Sequence, residues 1–409
     1  MKKPMLLAVA LAGTAASAAH AQSSVTLYGL IDEGLNYVSN VQTGRAGGAL
    51  VGKQQFAMSD GATGIGGSRW GLRGIEDLGG GLRTVFTLEN GFNINTGGLA
   101  QGGLLFGRQA FLGLANASGQ ITLGRQYSVV SDMLAPFSEA GETPGHMGAN
   151  PDDFDDLGHS VRLNNSIKYK SASLAGVTLG AMYSLGGVAG APGRNQVWAL
   201  AATYAIGPFS AGAGYLNARD PNLSYFGTNG NSGNSSTNNL GSFGSATAAQ
   251  SNPVYAGFAS SATLQLVIAG VKYHFGTASV GATWSHAGFG GLGDTSAGPN
   301  PLHYTGTAVI NNGEINASYG FTPTFSVNAA YGYTHKANIG EFGSVNYHQG
   351  TLSAAYFLSK RTELYAIAIY QKASGTDSLG QSAVASITQL TPSSTDHQAL
   401  VRLGILHTF

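Results

Sequence analysis

Sixteen short segments in which apolar and polar residues alternate run along this chain, and no comparable helical pattern follows the first twenty residues. Successive side chains of an extended chain point to opposite faces, so strict alternation is typical of strands with one apolar face. The segments are 24–38, 68–76, 82–92, 105–115, 120–127, 162–171, 177–185, 196–206, 209–218, 263–275, 278–287, 311–321, 324–335, 347–358, 362–372 and 398–409.

The connections between these segments alternate in length. Seven are tight and rich in Gly, Pro or Asn, which favour chain reversal, and the eight between them are longer and polar. The third long connection runs from about 128 to 161, and the fifth contains a Gly/Ser/Asn tract at 227–252. Because the series begins and ends with a long connection, both chain ends lie on the short-turn side. This is the order expected of an up-and-down barrel.

The composition indicates lipid rather than water around the barrel. Charged residues make up 10% of the chain, against roughly 25% in soluble domains. Beyond residue 21 no run of 18 apolar residues could form a membrane helix, and in lipid the remaining way to pair every backbone group is a closed barrel. We therefore predict an all-β fold, a 16-stranded antiparallel up-and-down transmembrane β-barrel. A soluble all-β domain with an aromatic core is the alternative.

The first residues, MKKPMLLAVALAGTAASAAHAQ, combine two lysines, a short apolar run and an A-x-A sequence before Gln22. This pattern predicts a cleaved signal peptide at 1–21 and a barrel at 22–409. The chain has no Cys, so disulfides are excluded, and its 20 basic and 20 acidic residues argue against a nucleic-acid partner. Aromatic residues at strand ends are expected to face lipid headgroups, namely Tyr28, Phe92, Tyr169, Phe275, Phe321, Phe357 and Phe409.

Several motifs occur in a familiar order, namely SSVTLYGLIDEGLNY, SRWGLRGIEDLGGGLRTVFTLENGF, FGRQAFLGL, ITLGRQYSVVSDMLAPF, NNSIKY, LSKRTELY and a terminal Phe. With them the chain resembles the general porins of Gram-negative bacteria, especially the β-proteobacterial type, from about 23 to 409. The resemblance implies a trimer in the outer membrane and a third loop folded inward as a constriction. It also implies that Phe409 belongs to the signal read by the barrel-assembly machinery.

Alternation places several basic residues on the inner face of the barrel. Arg69 and Arg73 lie opposite Trp70 and Leu72, and the same rule selects Arg83, Arg162, Lys168, Lys170 and Arg402. The resemblance matches Arg69, Arg108 and Arg162 to the basic ladder of the family's constriction. For Arg108 the two arguments conflict, because strict alternation groups it with Leu112 and Leu114 on the lipid face. We follow the resemblance and predict six pore-lining cations, Arg69, Arg73, Arg83, Arg108, Arg162 and Lys168.

The long third connection carries acids that would face these cations if the loop folds inward. We predict that Asp132, Glu139 and Glu142 do so and create a transverse field at the narrowest point. The acidic run DDFDD at 152–156 lacks the ligand spacing of a calcium loop, and we predict an exposed acidic tip there.

The function expected from these features is passive diffusion of ions and small hydrophilic solutes, with no catalytic residue, cofactor or metal. The expected partners are two further copies of the chain, outer-membrane lipid and lipopolysaccharide, and the assembly machinery. One alternative is an adhesin-like barrel that binds a ligand through its loops. A less favoured one is a barrel phospholipase using Ser285 and His286, but adjacent residues of a strand point apart.

Overall fold

The computed structural model describes residues 23–60, 67–222, 252–294 and 300–409, so the predicted signal peptide at 1–21 and most of the 227–252 tract lie outside the described residues. Seventeen strands are described: β1 (Ser24–Ala46), β2 (Ala49–Asp60), β3 (Arg69–Gly79), β4 (Leu82–Gly91), β5 (Gln109–Asn116), β6 (Gly119–Tyr127), β7 (Arg162–Ser171), β8 (Val177–Ser184), β9 (Val197–Ile206), β10 (Phe209–Arg219), β11 (Thr263–Phe275), β12 (Ala278–Leu292), β13 (Gly306–Thr322), β14 (Phe325–Lys336), β15 (Val345–Phe357), β16 (Thr362–Gly375) and β17 (His397–Thr408).

The helical segments are short. Among the described residues, one α-helix, α1, spans Val129–Leu134, and single 3₁₀ turns follow at Ala135–Phe137, Glu139–Gly141, Gly145–Gly148 and Pro151–Asp153, with two more at Gln101–Gly103 and Phe258–Ser260. Across the described ranges, no helix is both long and apolar enough to cross a bilayer.

The sheet closes into a barrel because the first and last strands pair. Leu30 of β1 lies opposite Thr408 of β17, and the antiparallel ladder continues to Val38 opposite Leu400. The backbone of Phe409 extends this closure, since its N–H donates to the carbonyl of Gly29 at 3.0 Å and its carbonyl accepts from the N–H of Gly29 at 3.1 Å. The chain terminus is therefore held within the sheet.

Seventeen strands fill sixteen barrel positions, because β2 and β3 share one. Both pair with the same side of β1, β3 with Ser24–Leu30 and β2 with Glu33–Ala46. The predicted count of sixteen is thus confirmed, but residues 49–60, which we placed in an outer connection, form a strand. The sequence signal for this strand was the two-residue spacing of the apolar residues Phe56 and Met58. Both side chains are exposed in the structure.

Short and long connections fall at opposite ends of the barrel, as predicted. The reversal from β3 to β4 uses Gly79, Gly80 and Gly81, all with positive φ between 61° and 85°, a region that suits glycine. Alternation also holds along the strands. In β17, Val401, Leu403 and Ile405 are exposed on the outer face, whereas Leu400 and Arg402 are buried on the inner face.

Most of the aromatic residues expected at strand ends are exposed, but Tyr28 is not on the outer face. Its hydroxyl donates to Glu89 of β4 at 2.9 Å inside the barrel. It shares the inner face with Leu30 and Asp32, which follow it at two-residue intervals, so alternation itself explains the correction.

The third long connection, residues 128–161, folds into the barrel, as predicted. Its buried side chains Val130, Leu134 and Phe137 pack against inward glycines of β10 and β11. A Cβ added at Gly212 would lie 2.7 Å from Leu134 Cδ2, and one at Gly270 would lie 2.6 Å from Phe137 Cβ. These glycines therefore let the loop lie directly on the barrel wall.

Candidate constriction site

The inner surface of the barrel has two chemically different sides. We call the inner face of β3–β7 the basic wall, because it carries the predicted cations. We call the inner face of β8–β11 the apolar wall. Ala199, Leu216, Leu266 and Ile268 of the apolar wall are all buried in one cluster with the third connection, hereafter loop 3. Loop 3 thus rests on one wall and faces the other.

Loop 3 begins with a short capped helix. The Ser128 hydroxyl accepts a hydrogen bond from the N–H of Val130 at 3.1 Å, a standard N-terminal cap. Gly180 of β8 allows this first turn to sit close, since an added Cβ would lie 2.4 Å from Val129 Cγ2. The helix α1 is therefore fixed on the apolar wall, and this contact determines the direction in which its later residues point.

Asp132 of α1 contacts the basic wall. Its Oδ2 lies 2.6 Å from Lys168 Nζ of β7, and its Oδ1 lies 3.5 Å from His159 Nε2. Burial alone would raise the pKa of Asp132, but the charge of Lys168 and the hydrogen bond from His159 lower the pKa to about 2. Of the three loop acids, Asp132 is therefore the one that the structure brings together with a predicted cation.

Glu142 contacts a cation that the sequence analysis did not select. Its Oε1 lies 2.6 Å from Lys272 Nζ of β11, which also donates to the Pro136 carbonyl at 2.6 Å. Lys272 shows the same alternation as the selected cations, because it lies between the exposed residues Val271 and Tyr273. This ion pair fastens the middle of loop 3 to β11.

Glu139 does not face the basic wall, which corrects our expectation. Its carboxylate is buried, and its backbone N–H donates to Glu314 Oε1 of β13 at 2.7 Å. Burial first, and then the negative charges of Glu314 and Glu142, raise the pKa of Glu139 to about 9. The sequence showed that loop 3 carries acidic residues. The direction in which each carboxylate side chain points depends on the backbone conformation of the 3₁₀ turns.

The DDFDD run is not an exposed tip, so that prediction is wrong. Asp153, Asp155 and Asp156 are buried, and each accepts hydrogen bonds that hold the return of loop 3. Asp153 accepts from the Gly158 N–H at 2.7 Å, and Asp156 accepts from the Val161 N–H at 2.8 Å. Burial raises the pKa of all three carboxyls. In the described part of the chain no group of His, Cys, Asp or Glu is suited to hold a metal ion.

Glu89 of β4 lies at the centre of the basic wall and was missed by the sequence analysis. Its Oε1 lies 2.8 Å from Arg108 Nε, and its Oε2 lies 3.8 Å from Arg69 Nε. Oε2 also accepts a hydrogen bond from the Tyr28 hydroxyl. Alternation from Arg83 leads through Val85 and Thr87 to Glu89, so the rule that selected Arg83 also predicts this acid inside the barrel. Arg69 and Arg108 are thus partly neutralised.

Arg108 resolves the conflict between alternation and resemblance. It lies just before the first residue of β5, so the strand period does not apply to it, and its side chain turns inward to Glu89. It is buried, with 1% of its surface exposed, so water in the channel does not reach it freely. The guanidinium lies 5.9 Å from the ring centroid of Tyr127.

Arg162 begins β7 and also contacts Tyr127. Its guanidinium lies 4.9 Å from the ring centroid, and Nη2 donates to the hydroxyl at 3.1 Å. Tyr127 therefore orders both Arg108 and Arg162 through its ring face. No local sequence pattern indicates this role of an aromatic residue at a strand end.

The exposed cations lie nearer the short-turn end. Arg73 is exposed above the Tyr28 ring at 5.1 Å. Arg83 and Lys170 line a cavity of about 440 Å³ together with the half-buried ion pair of Lys168 and Asp132. Arg402 has a different environment, since it is fully buried and its Nη2 lies 3.4 Å from Asp32 Oδ1. The structure therefore separates buried, paired cations from exposed ones.

Ser285 and His286 do not form a catalytic pair. Ser285 donates to Asp155 inside the barrel, while His286 Nδ1 lies 2.9 Å from Asn311 Oδ1 on the outer face. Their side chains point to opposite sides of β12, as alternation requires.

Comparison with known proteins places this geometry in a family. The family model described as Gram-negative porin matches residues 7–376. An outer membrane porin protein of Bordetella pertussis is 42% identical over 193 residues, 45% of this chain and 48% of the relative. Outer membrane porin protein 32 of Delftia acidovorans is 34% identical over 226 residues, 52% of this chain and 59% of the relative. The chain thus spans about half the length of these curated relatives.

Solved structures share the fold at low identity. The anion-selective porin from Comamonas acidovorans superimposes with a TM-score of 0.67 at 22% identity, covering 95% of this chain and all of that one. The trimer form of OmpT from Vibrio cholerae gives a TM-score of 0.61 at 15% identity, covering 95% and 99% of the two chains. From its family match and its closed barrel, this chain belongs to the Gram-negative porin family and is an outer membrane protein.

Proposed function

We propose that the barrel is a general diffusion channel with a mild preference for anions. It passes ions and small hydrophilic solutes down their gradients, with no chemical step. The observation that carries the anion preference is the separation of charges inside the barrel. Arg73, Arg83 and Lys170 are exposed, whereas Glu139 is buried and Glu142 is paired with Lys272.

Field focusing explains why few charges suffice. Exposed cations in a narrow aqueous passage with low-dielectric walls raise the local concentration of anions. Of the loop 3 acids, Asp132 is the one that reaches this passage, and Lys168 balances it. Asp77, directly opposite Arg83 in the β3–β4 ladder, offsets part of this positive charge, and Arg73 and Lys170 set the sign of the potential. The structural similarity to the anion-selective porin from Comamonas acidovorans agrees with this proposal.

A charge reversal tests this function. In a planar bilayer with a salt gradient, we expect Arg73→Glu with Arg83→Glu to move the reversal potential toward cation preference, with a severalfold change in permeability ratio. The matched control is Lys360→Glu with Arg361→Glu, which makes the same charge change in the exposed turn between β15 and β16. An equal shift in both variants, or none in either, would contradict the role of Arg73 and Arg83.

We also propose the partners expected from the sequence, namely two further copies of the chain, the barrel-assembly machinery, and outer-membrane lipid including lipopolysaccharide. The trimer form described for the Vibrio cholerae relative supports the first. The seating of Phe409 against Gly29 supports the second, because the terminal residue takes part in barrel closure. Chemical cross-linking of the purified channel, with trimers expected, tests the oligomer directly.

A further inference from the structure

The last long connection, residues 376–396 between β16 and β17, folds inward onto loop 3, and we call it loop 8. Connecting loops usually run over the protein surface. Ile387 of loop 8 instead lies in one buried cluster with Met147 of loop 3. Six consecutive residues of loop 8 are buried, namely Ala383, Val384, Ala385, Ser386, Ile387 and Thr388. This run indicates a segment that is packed between other parts of the protein.

Two side chains of this buried run bond the returning half of loop 3. Ser386 Oγ donates to Asp152 Oδ2 at 2.9 Å. Thr388 Oγ1 donates to the carbonyl of Asn150, also at 2.9 Å. The contact between the two loops is therefore directional, because each bond fixes the position of one group of loop 3 relative to loop 8.

The tip of loop 8 reaches the constriction. Gln389 is exposed, and its Nε2 donates to His146 Nδ1 of loop 3 at 2.8 Å. Its φ of 69° is uncommon for a residue with a side chain. Burial, and then the positive charge of Arg162 on the basic wall, lower the pKa of His146 to about 3, so the imidazole is neutral and can accept this bond. Loop 8 therefore borders the passage beside the basic wall.

Three glutamines of the barrel wall lie behind the two loops. Gln349 of β15 is directly opposite Gln371 of β16, and Gln371 is directly opposite Gln398 of β17. All three side chains are buried. We call them the glutamine row. An amide side chain has both donors and an acceptor, so it can bond a backbone carbonyl and a backbone N–H together.

The glutamine row bonds the backbones of both loops. Gln349 Nε2 donates to the carbonyls of Gly148 and Ala149 in loop 3 at 3.1 and 3.2 Å. Gln371 Oε1 accepts from the N–H of Ser386 in loop 8 at 2.5 Å, and its Nε2 donates to Gln349 Oε1 at 2.9 Å. Loop 3 and loop 8 are thus connected through two neighbouring side chains of the wall.

The third glutamine and strand β1 hold the rest of loop 8. Gln398 Oε1 accepts from the N–H of Ile387 at 3.3 Å, and its Nε2 donates to the carbonyl of Thr391 at 2.9 Å. The N–H of Ser394 donates to the carbonyl of Asn40 in β1 at 2.7 Å. Loop 8 is therefore fastened to the barrel in its middle and near its end.

The two halves of loop 3 are held by different kinds of contact. The first half packs Leu134 and Phe137 on the apolar wall, and apolar packing is not directional. The returning half is held by hydrogen bonds from the glutamine row and from loop 8. Buried polar groups of this kind specify one arrangement when all of them are paired. The second half of loop 3 therefore has the more sharply defined position.

We propose that the glutamine row and loop 8 form a clamp that fixes residues 146–152 of loop 3 beside the basic wall. The three glutamines are buried and touch no solute, so they are positioning residues for permeation. This inference rests on the proposed channel function. It goes further by assigning the position of the constriction to two loops and to the wall residues that join them.

The first test compares two glutamine exchanges in single-channel recordings. Gln371→Met keeps the length of the side chain and removes its hydrogen bonds to both sides of the clamp. Gln265→Met makes the same exchange at an exposed position of β11 and is the matched control. We expect Gln371→Met to close severalfold more often than the wild type, because buried groups without partners favour local opening. Gln265→Met should behave as the wild type does.

The second test follows loop 3 itself through a single cysteine at Ala149. This residue is buried, and the chain has no cysteine of its own. A charged methanethiosulfonate reagent should modify Ala149→Cys slowly in the otherwise unchanged protein. Together with Gln371→Met the modification should be severalfold faster, whereas together with Gln265→Met it should stay slow.

Equal closing frequencies in the two glutamine variants, or equal modification rates, would overturn the clamp. If Gln371→Met does not fold, Thr388→Val replaces it, with Thr391→Val at an exposed position of loop 8 as its control, and the same outcomes decide. A wild-type protein that passes no current would contradict the proposed channel function. The modification rates need no current, so they decide on the clamp separately.

Discussion

The basic wall and the apolar wall are both built from inward-facing residues of neighbouring strands, yet they do opposite things. On the apolar wall, glycines at 212, 214 and 270 let Leu134 and Phe137 of loop 3 pack without intervening water. On the basic wall, Arg73 and Arg83 stay exposed. The difference shows that alternation decides which side chains point inward. The size and charge of those side chains then decide whether loop 3 or water occupies the space beside them.

Asp132 connects the two walls. Its helix rests on the apolar wall, and its carboxylate reaches Lys168 of the basic wall. The position of the loop is therefore set by packing on one side and by charge on the other. Changes on either wall should therefore have distinguishable effects on stability and on conductance.

Glu89→Gln should have the largest effect. It removes the carboxylate that lies 2.8 Å from Nε of the buried Arg108 guanidinium and so breaks this ion pair. Breaking a buried ion pair by removing one partner costs about 3–5 kcal/mol. We expect that loss in the free energy of unfolding, measured by urea titration in detergent. Glu363→Gln, an exchange of the same type near the short-turn end of β16, is the control, and equal destabilisation by both would contradict the prediction.

Gly270→Val should unseat loop 3 from the apolar wall. An added Cβ would lie 2.6 Å from Phe137 Cβ, and overpacking of this kind costs about 1–3 kcal/mol. We expect lower stability together with a changed single-channel conductance. Gly350→Val is the matched control, because nothing lies within 4 Å of a Cβ there. A normal conductance in Gly270→Val would show that the glycine contact does not position the loop.

Asp132→Asn should have a smaller effect that depends on pH. The pKa of Asp132 is lowered from 3.8 to about 2 in the folded protein, so its carboxylate stabilises the fold above the unfolded value. That contribution, about 1–2 kcal/mol, is lost as pH falls from about 4 to 2. We expect Asp132→Asn to flatten the wild-type loss of stability in this range. An unaltered pH profile would contradict the ion pair with Lys168.

The sequence predicted the barrel because period-2 alternation and connection length report directly on strands and turns. It missed β2, since a hairpin that extends beyond the apolar band resembles a polar loop. It placed Asp132, but it did not place Glu139 or the DDFDD acids, because their directions depend on how single turns pack against distant strands. Glu89 could have been found by alternation, whereas the role of Tyr127 depends on tertiary contacts that local patterns do not report.

The division of the channel into a wet and a dry wall is tested most directly by single cysteines, because the chain has none of its own. Arg83→Cys and Lys170→Cys on the basic wall are compared with Leu216→Cys and Ile268→Cys on the apolar wall. A charged methanethiosulfonate reagent should modify the first pair rapidly and alter the channel current, while the second pair should remain unmodified. Similar modification rates at all four positions would contradict the account.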